Sequence, residues 1–66
     1  MDVIINGERR EVSPRTTVEE VVRSLTQAPG GVAVALNDEV VPKAGWATTR
    51  LGDDDRVDVL TAVQGG

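Results

Sequence analysis

Residues 1–25, MDVIINGERREVSPRTTVEEVVRSL, contain two short extended segments followed by one helical segment. In residues 1–6 the side chains alternate in the period-two pattern of a half-buried strand. Asn6-Gly7 interrupts this pattern, and Asn-Gly favours a tight hairpin because both residues tolerate positive φ. Residues 8–13 are polar except for Val12, which predicts a second, antiparallel strand at the edge of a sheet.

A helix is predicted to start at Thr17, since Glu20 three residues later completes a capping box. Beyond this cap an apolar face follows at the i, i+3, i+4, i+7 spacing of a helix, formed by Val18, Val21, Val22 and Leu25. Valine is a poor helix former, so this helix depends on packing against the rest of the protein. Residues 28–31, APGG, are predicted to end it.

The second half of the chain predicts three more strands. Residues 32–37 form an apolar segment, and residues 40–41 a very short one after a turn. One 3₁₀ turn is expected around Trp46. Residues 56–63, RVDVLTAV, alternate again and predict the last strand.

This element order predicts an α+β fold. The hairpin is antiparallel, whereas a right-handed crossover through the helix returns the chain beside the first strand. The result is a mixed sheet of four to five strands with one helix across it, the β-grasp arrangement, as a single domain over residues 1–66. The predicted core is aliphatic and comprises Val3, Ile5, Val12, Val18, Val21, Val22, Leu25, Val34, Leu36, Leu51, Val57 and Val59.

Composition excludes several functions for these 66 residues and 7.0 kDa. Seven basic and 11 acidic residues give a net charge of −4, which disfavours nucleic acid and anionic membranes as partners. The absence of Cys and His removes thiol nucleophiles and the commonest general base. The first residues match no targeting signal and no apolar run is long enough to span a membrane, so a cytoplasmic location is expected.

The C-terminal residues are the first candidate site. Gln64, Gly65 and Gly66 follow the last predicted strand directly. From residue 63 to Gly66 such a tail reaches roughly 13 Å at about 3.3 Å per residue. A flexible Gly-Gly tail without side chains fits a narrow channel, so its carboxylate could enter a partner's active site.

The outward face of the sheet is the second candidate site. If Val57, Val59 and Thr61 point inward, Leu60 and Ala62 point outward. Ile4 points outward from the neighbouring first strand, so Ile4, Leu60 and Ala62 are predicted to form a partner-binding patch leading to the tail.

Three further features favour structural roles. Residues 53–55 are consecutive aspartates, but their spacing does not fit an EF-hand, and a solvated turn is the preferred interpretation. Asn37 is expected to stabilise a turn and Trp46 to cover the core. No metal site and no bound cofactor are predicted.

These segments in order resemble the ThiS family, the ubiquitin-like sulfur carrier proteins of thiamine biosynthesis. The resemblance covers essentially the whole chain and rests on Asn6-Gly7, residues 17–22 (TVEEVV), residues 36–43 (LNDEVVPK), Trp46, Gly52-Asp53 and the final Gly65-Gly66.

The resemblance implies a reaction at Gly66. A ThiF-type adenylyltransferase would use ATP and Mg²⁺ to activate the terminal carboxylate. Sulfur from a sulfur-relay protein would then displace AMP, leaving a thiocarboxylate for a ThiG-type thiazole synthase. The chain itself would be a carrier and not an enzyme.

Other functions remain open on the sequence. A MoaD-like carrier for molybdopterin synthesis, or a carrier for another sulfur acceptor, would also end in Gly-Gly. A TGS-like β-grasp binding module has a similar element order but would not need Gly66. A small enzyme is disfavoured by the missing His and Cys.

Overall fold

The computed structural model describes residues 1–26 and 31–61. Its elements follow the predicted order: β1 (Asp2–Ile5), β2 (Glu8–Glu11), α1 (Val18–Leu25), β3 (Val32–Leu36), β4 (Glu39–Val40), a 3₁₀ turn (Lys43–Gly45) and β5 (Arg56–Thr61). The predicted strands and the helix are therefore confirmed. β1, β2, β3 and α1 are shorter than predicted, β4 is shifted by one residue, and residues 62–63 of the predicted last strand lie outside the described part. The structure describes no helix long and apolar enough to cross a membrane.

The five strands form one mixed sheet in the order β2-β1-β5-β3-β4. β1 is antiparallel to β2 and parallel to β5, so the last strand lies beside the first. β3 is antiparallel to both β5 and β4. The predicted β-grasp arrangement is confirmed, and the hairpin turns at Asn6 (φ 50°) and Gly7 (φ 83°), the left-handed conformations that Asn-Gly accepts.

The N-terminus of α1 is fully hydrogen-bonded. The predicted capping box is present, since the Thr17 side chain accepts from the Glu20 N–H and Glu20 accepts from the Thr17 N–H. The Val18 and Glu19 N–H groups donate to loop carbonyls of Thr49 and Trp46. α1 ends at Leu25, earlier than predicted, and residues 27–30 lie outside the described part.

The core lies between α1 and the inner face of the sheet. Nine predicted members are buried: Val3, Ile5, Val18, Val21, Val22, Val34, Leu51, Val57 and Val59. Val12 and Leu36 point inward as predicted but are only partly buried against this core. Trp46 also belongs to this core and is 3% exposed. Its indole Nε1–H donates to the Val41 carbonyl at 2.9 Å.

One core prediction is wrong, and one further residue of the inner face is exposed. Leu25 is 40% exposed, because it is the last residue of α1 and no further turn continues the apolar face. Thr61 is exposed, although Val57 and Val59 on the same strand are buried. Thr61 is the last described residue of β5, beyond the level at which β1 ends.

Candidate functional site on the outer sheet face

Ile4 and Leu60 both lie on the outer face of the sheet, the face away from α1, but they are not neighbours. Ile4 pairs with Arg56 in the parallel register, so Leu60 lies four residues further along β5. This offset is about 13 Å at about 3.3 Å per residue. Arg56 and Asp58 occupy the intervening outward positions, so charge separates Ile4 from Leu60.

The apolar neighbours of Leu60 are on β3 and β4. Leu60 pairs directly with Ala33, and Ala35 pairs with Val40, so these four side chains share the outer face. We call Leu60, Ala33, Ala35 and Val40 the outer strip. Leu60 is 70% and Val40 76% exposed. Because the two alanine side chains between them are small, the surface of the strip is concave at its centre. The sequence signal for this strip was that residues 32–37 are apolar on both faces.

The outer strip leads toward the predicted tail. Leu60 is followed by Thr61, where β5 ends in the described part of the chain. Ala62, Gln64, Gly65 and Gly66 lie outside the described residues. The exposed Leu60 therefore lies six positions before Gly66 in the sequence.

Asn6 fixes the middle of β5 through its side chain. Its backbone N–H donates to the Val57 carbonyl at 2.9 Å, as a continuation of the β1 ladder. Its Oδ1 accepts the Val59 N–H at 2.8 Å. Because β1 ends at the turn, this side-chain oxygen replaces the backbone carbonyl that a further residue of β1 would provide. The Asn6-Gly7 sequence predicts a turn, but no local pattern indicates this second role of Asn6.

Asn37 holds the beginning of β5 in a similar way. Its Oδ1 accepts the Arg56 N–H at 2.9 Å and its Nδ2 donates to Asp55 at 3.0 Å. The positive φ of 50° at Asn37 makes this geometry possible. The expected turn-stabilising role of Asn37 is confirmed, and β5 is anchored at two points before it reaches the outer strip.

Removing the Asn6 carboxamide should destabilise the protein and loosen β5. Asn6→Gly keeps the backbone freedom for positive φ but leaves the Val59 N–H without its acceptor, which costs about 1–3 kcal/mol. Urea unfolding followed by Trp46 fluorescence measures this loss, and amide hydrogen exchange at Val59 should accelerate. Asn6→Asp is the matched control, because it retains an acceptor oxygen. Equal stability of Asn6→Gly and Asn6→Asp would contradict the assigned role.

Two of the charged clusters around the sheet centre on Arg56 and Arg9. Arg56 contacts Asp38 and lies 3.8 Å from Asp58, and the hydrogen bond to Asp38, together with its charge, raises the pKa of Arg56. A hydrogen bond to Asp54 raises the pKa of Arg9, with Asp2 adding to the effect. Both guanidinium groups therefore remain cationic throughout the accessible pH range.

The aspartates of residues 53–55 form the predicted turn. Asp55 accepts the Gly52 N–H at 2.6 Å, Asp53 accepts the Asp2 N–H at 3.0 Å, and Asp54 pairs with Arg9 at 3.1 Å. Each carboxylate thus has a structural partner. Within residues 1–26 and 31–61, no three acidic side chains converge as a metal site.

Fold and site together define a small β-grasp domain with an exposed apolar strip across β5, β3 and β4. A profile of the ThiS family matches residues 3–66. The sulfur carrier protein ThiS of Escherichia coli is 29% identical over 66 residues, which cover all of both chains. The crystal structure of the thiamine biosynthesis protein ThiS from Geobacter metallireducens superposes with a TM-score of 0.80 at 30% identity, also over both whole chains.

The chain belongs to the ThiS family, the sulfur carrier proteins of thiamine biosynthesis. It is also 36% identical over 66 residues to a thiazole synthase of Paramagnetospirillum magneticum, and 33% identical to one of Magnetococcus marinus. In each of these two relatives the chain spans only 20% of the protein's length. A segment similar to this whole chain therefore also occurs within longer thiazole synthases.

Proposed function

We propose that this protein carries sulfur as a thiocarboxylate on the carboxyl group of Gly66. The observation that carries the proposal is the ThiS-family match, which extends through Gly65-Gly66 in a chain without cysteine. Without a thiol, the chain cannot hold sulfur as a side-chain persulfide. A terminal carboxyl group is the remaining position at which sulfur can be bound covalently and released again.

Activation must come from a partner, because a free carboxylate is a poor electrophile. In the proposed reaction the Gly66 carboxylate attacks the α-phosphate of ATP on a ThiF-type adenylyltransferase and pyrophosphate leaves. Sulfide-level sulfur, delivered by a sulfur-relay protein, then attacks the acyl carbon and displaces AMP, which leaves the thiocarboxylate. The ATP and Mg²⁺ belong to the adenylyltransferase, so this chain is the substrate of that enzyme.

The proposed acceptor of the sulfur is a ThiG-type thiazole synthase. Support comes from the two thiazole synthases that contain a segment similar to this chain. Such a fusion keeps a carrier domain next to the enzyme that would accept its sulfur. A MoaD-like role in molybdopterin synthesis or a TGS-like binding role has no comparable observation in its favour.

Intact-mass measurement tests the proposal. The protein is incubated with its cognate adenylyltransferase, ATP, Mg²⁺ and a sulfur source. The expected product is heavier by the difference between a sulfur and an oxygen atom, and tandem fragmentation should place this change on Gly66. An unchanged mass with a verified enzyme would instead favour the non-carrier binding module.

The outer strip is the proposed contact with the adenylyltransferase, and Leu60→Lys tests it. An exposed leucine that a partner buries contributes about 2 kcal/mol, so binding should weaken about 30-fold. Isothermal titration with the adenylyltransferase measures the affinity. Leu60 is 70% exposed, so the melting temperature should remain close to that of the unmodified protein.

Leu25→Lys is the matched control for this prediction. Leu25 is also a partly exposed leucine, but it lies at the end of α1, on the side of the sheet opposite to the outer strip. A lysine there also suits the C-terminal end of a helix dipole. Equal loss of binding in Leu25→Lys and Leu60→Lys would place the contact elsewhere.

A further inference from the structure

The Asn6-Gly7 pair at the tip of the β1–β2 hairpin can undergo a covalent reaction of its own. In an Asn-Gly pair the backbone nitrogen of glycine can attack the side-chain carbonyl carbon of asparagine, because glycine has no side chain to shield that nitrogen. Ammonia leaves and a five-membered succinimide ring forms. Both residues are exposed, and nothing lies within 4 Å of the position at which Gly7 would carry a Cβ. Water and base therefore reach this pair.

The backbone of the folded turn blocks this ring closure. Asn6 and Gly7 have φ angles of 50° and 83°, the left-handed pair of a two-residue hairpin turn. In this conformation the Cβ of Asn6 lies close to the carbonyl oxygen of the same residue, so Cβ and the Gly7 nitrogen lie on opposite sides of the Cα–C bond. The succinimide ring requires both atoms on the same side. Ring closure therefore needs a rotation about this bond that opens the hairpin.

Two hydrogen bonds hold the turn in the blocked conformation. The Asn6 Oδ1 accepts the Val59 N–H at 2.8 Å, which keeps the carboxamide against β5. Ile5 and Glu8 lie opposite each other and flank the two-residue turn, the position at which an antiparallel hairpin is hydrogen-bonded, so the Glu8 N–H donates toward Ile5. Both interactions must break before the ring can close.

We propose that Asn6 is a deamidation site whose reaction is controlled by opening of the β1–β2 hairpin. Water opens the succinimide at either of its two carbonyl carbons. Attack at the former side-chain carbon gives aspartate, and attack at the former backbone carbon gives isoaspartate, in which the chain runs through Cβ and Cγ. In both cases the net change is the uptake of water and the loss of ammonia. This reaction goes beyond the proposed sulfur chemistry, since it uses neither Leu60 nor Gly66.

The two products have different effects on β5. Aspartate retains an oxygen that accepts the Val59 N–H. Isoaspartate uses Cγ as part of the backbone, so the turn becomes longer by one carbon atom and the Val59 N–H loses its acceptor. Because the change is covalent, closing the hairpin again does not restore this anchor of β5.

Asn37 provides a comparison within the same chain. It is exposed, has a positive φ of 50°, and also anchors β5 through its side chain. The next residue is Asp38, whose side chain hinders attack by its backbone nitrogen. Asn37 should therefore remain unmodified when Asn6 has reacted, which separates the chemistry of the Asn-Gly pair from that of an exposed asparagine in general.

The test follows deamidation of the full chain in mildly alkaline buffer. A peptide of residues 4–9 (IINGER), acetylated and amidated at its ends, gives the rate without the hairpin. Because two hydrogen bonds must open, Asn6 in the folded chain should react about 30-fold more slowly than in the peptide. Intact mass measures the replacement of an amino group by a hydroxyl group, peptide mapping locates it, and methylation by an isoaspartyl methyltransferase detects isoaspartate.

Two proline variants test whether the hairpin controls the rate. Glu8→Pro removes the N–H that faces Ile5, so Asn6 should react about tenfold faster than in the unmodified chain. Arg9→Pro is the matched control, because strand alternation directs the Arg9 N–H away from β1 and its ion pairs are exposed. Its rate should change by less than about threefold. Trp46 fluorescence verifies that each variant is folded.

Several outcomes would overturn the deamidation proposal. These are equal rates in the folded chain and the peptide, equal acceleration by Glu8→Pro and Arg9→Pro, conversion of Asn37 as fast as that of Asn6, or a product without isoaspartate. The isoaspartate form should exchange its Val59 amide hydrogen about tenfold faster, and unchanged exchange would also contradict the proposal. Sulfur gain on Gly66 is measured on protein with unmodified Asn6, so failure of the carrier function is distinguishable.

Discussion

Deletion of Gly66 is expected to abolish the sulfur-dependent mass gain while leaving the fold intact. The deletion moves the terminal carboxyl group back by about 3.3 Å, and such a displacement removes the geometry that adenylation requires. A displacement of this size is expected to slow the reaction by at least about 100-fold. Intact mass after incubation with adenylyltransferase, ATP and a sulfur source measures the effect.

The fold should tolerate this deletion because its described contacts lie elsewhere. The sheet ladders, the capping box and the buried core all lie within residues 1–26 and 31–61. Circular dichroism and the melting temperature should therefore match those of the full chain. Gln64→Ala is the control, since it changes the tail without shortening it and should retain the mass gain. Normal sulfur incorporation after the deletion would show that another group carries the sulfur.

Trp46→Ala is expected to have the largest effect on stability. Trp46 is 3% exposed, and its carbonyl also accepts the Glu19 N–H at the beginning of α1. Truncation of a buried aromatic side chain costs about 3–5 kcal/mol. Because a domain of this size is marginally stable, most molecules should then be unfolded at room temperature. Circular dichroism during urea titration measures the loss.

Trp46→Phe separates packing from hydrogen bonding. Phenylalanine retains most of the buried surface but lacks the Nε1–H that donates to Val41 at 2.9 Å. The expected cost is about 1–3 kcal/mol for the unsatisfied carbonyl and the smaller ring, so this variant should remain folded. If Trp46→Ala were as stable as Trp46→Phe, Trp46 would not be a core residue.

Much of the proposed interface could not be inferred from local patterns. The sequence predicts that Leu60 points outward, because side chains alternate along a strand and Val57 and Val59 point inward. The identity of the residues beside Leu60 depends on which strand pairs there and in which register. β1 ends at Ile5, level with Val57, so Leu60 lies beside Ala33 of β3 and not beside Ile4.

The pocket between β2 and α1 shows the same limit. Its floor joins Ile5, Val12 and Val21, which belong to three different segments of the chain. The polar composition of β2 predicts its position at a sheet edge, because composition is a local property. The position of α1 relative to that edge depends on packing across the whole core, and no short motif encodes it.

The sequence by itself determined the order and type of the elements, the Asn6-Gly7 hairpin, the helix cap and the absence of a side chain that could hold sulfur. These properties follow from backbone preferences and side-chain chemistry that act over a few residues. Only the tertiary structure decided that the Asn6 side chain binds Val59, that Leu25 is exposed, and that Leu60 joins Ala33, Ala35 and Val40. These contacts connect residues distant in the chain, so they stabilise the protein only once the sheet register and the core are formed.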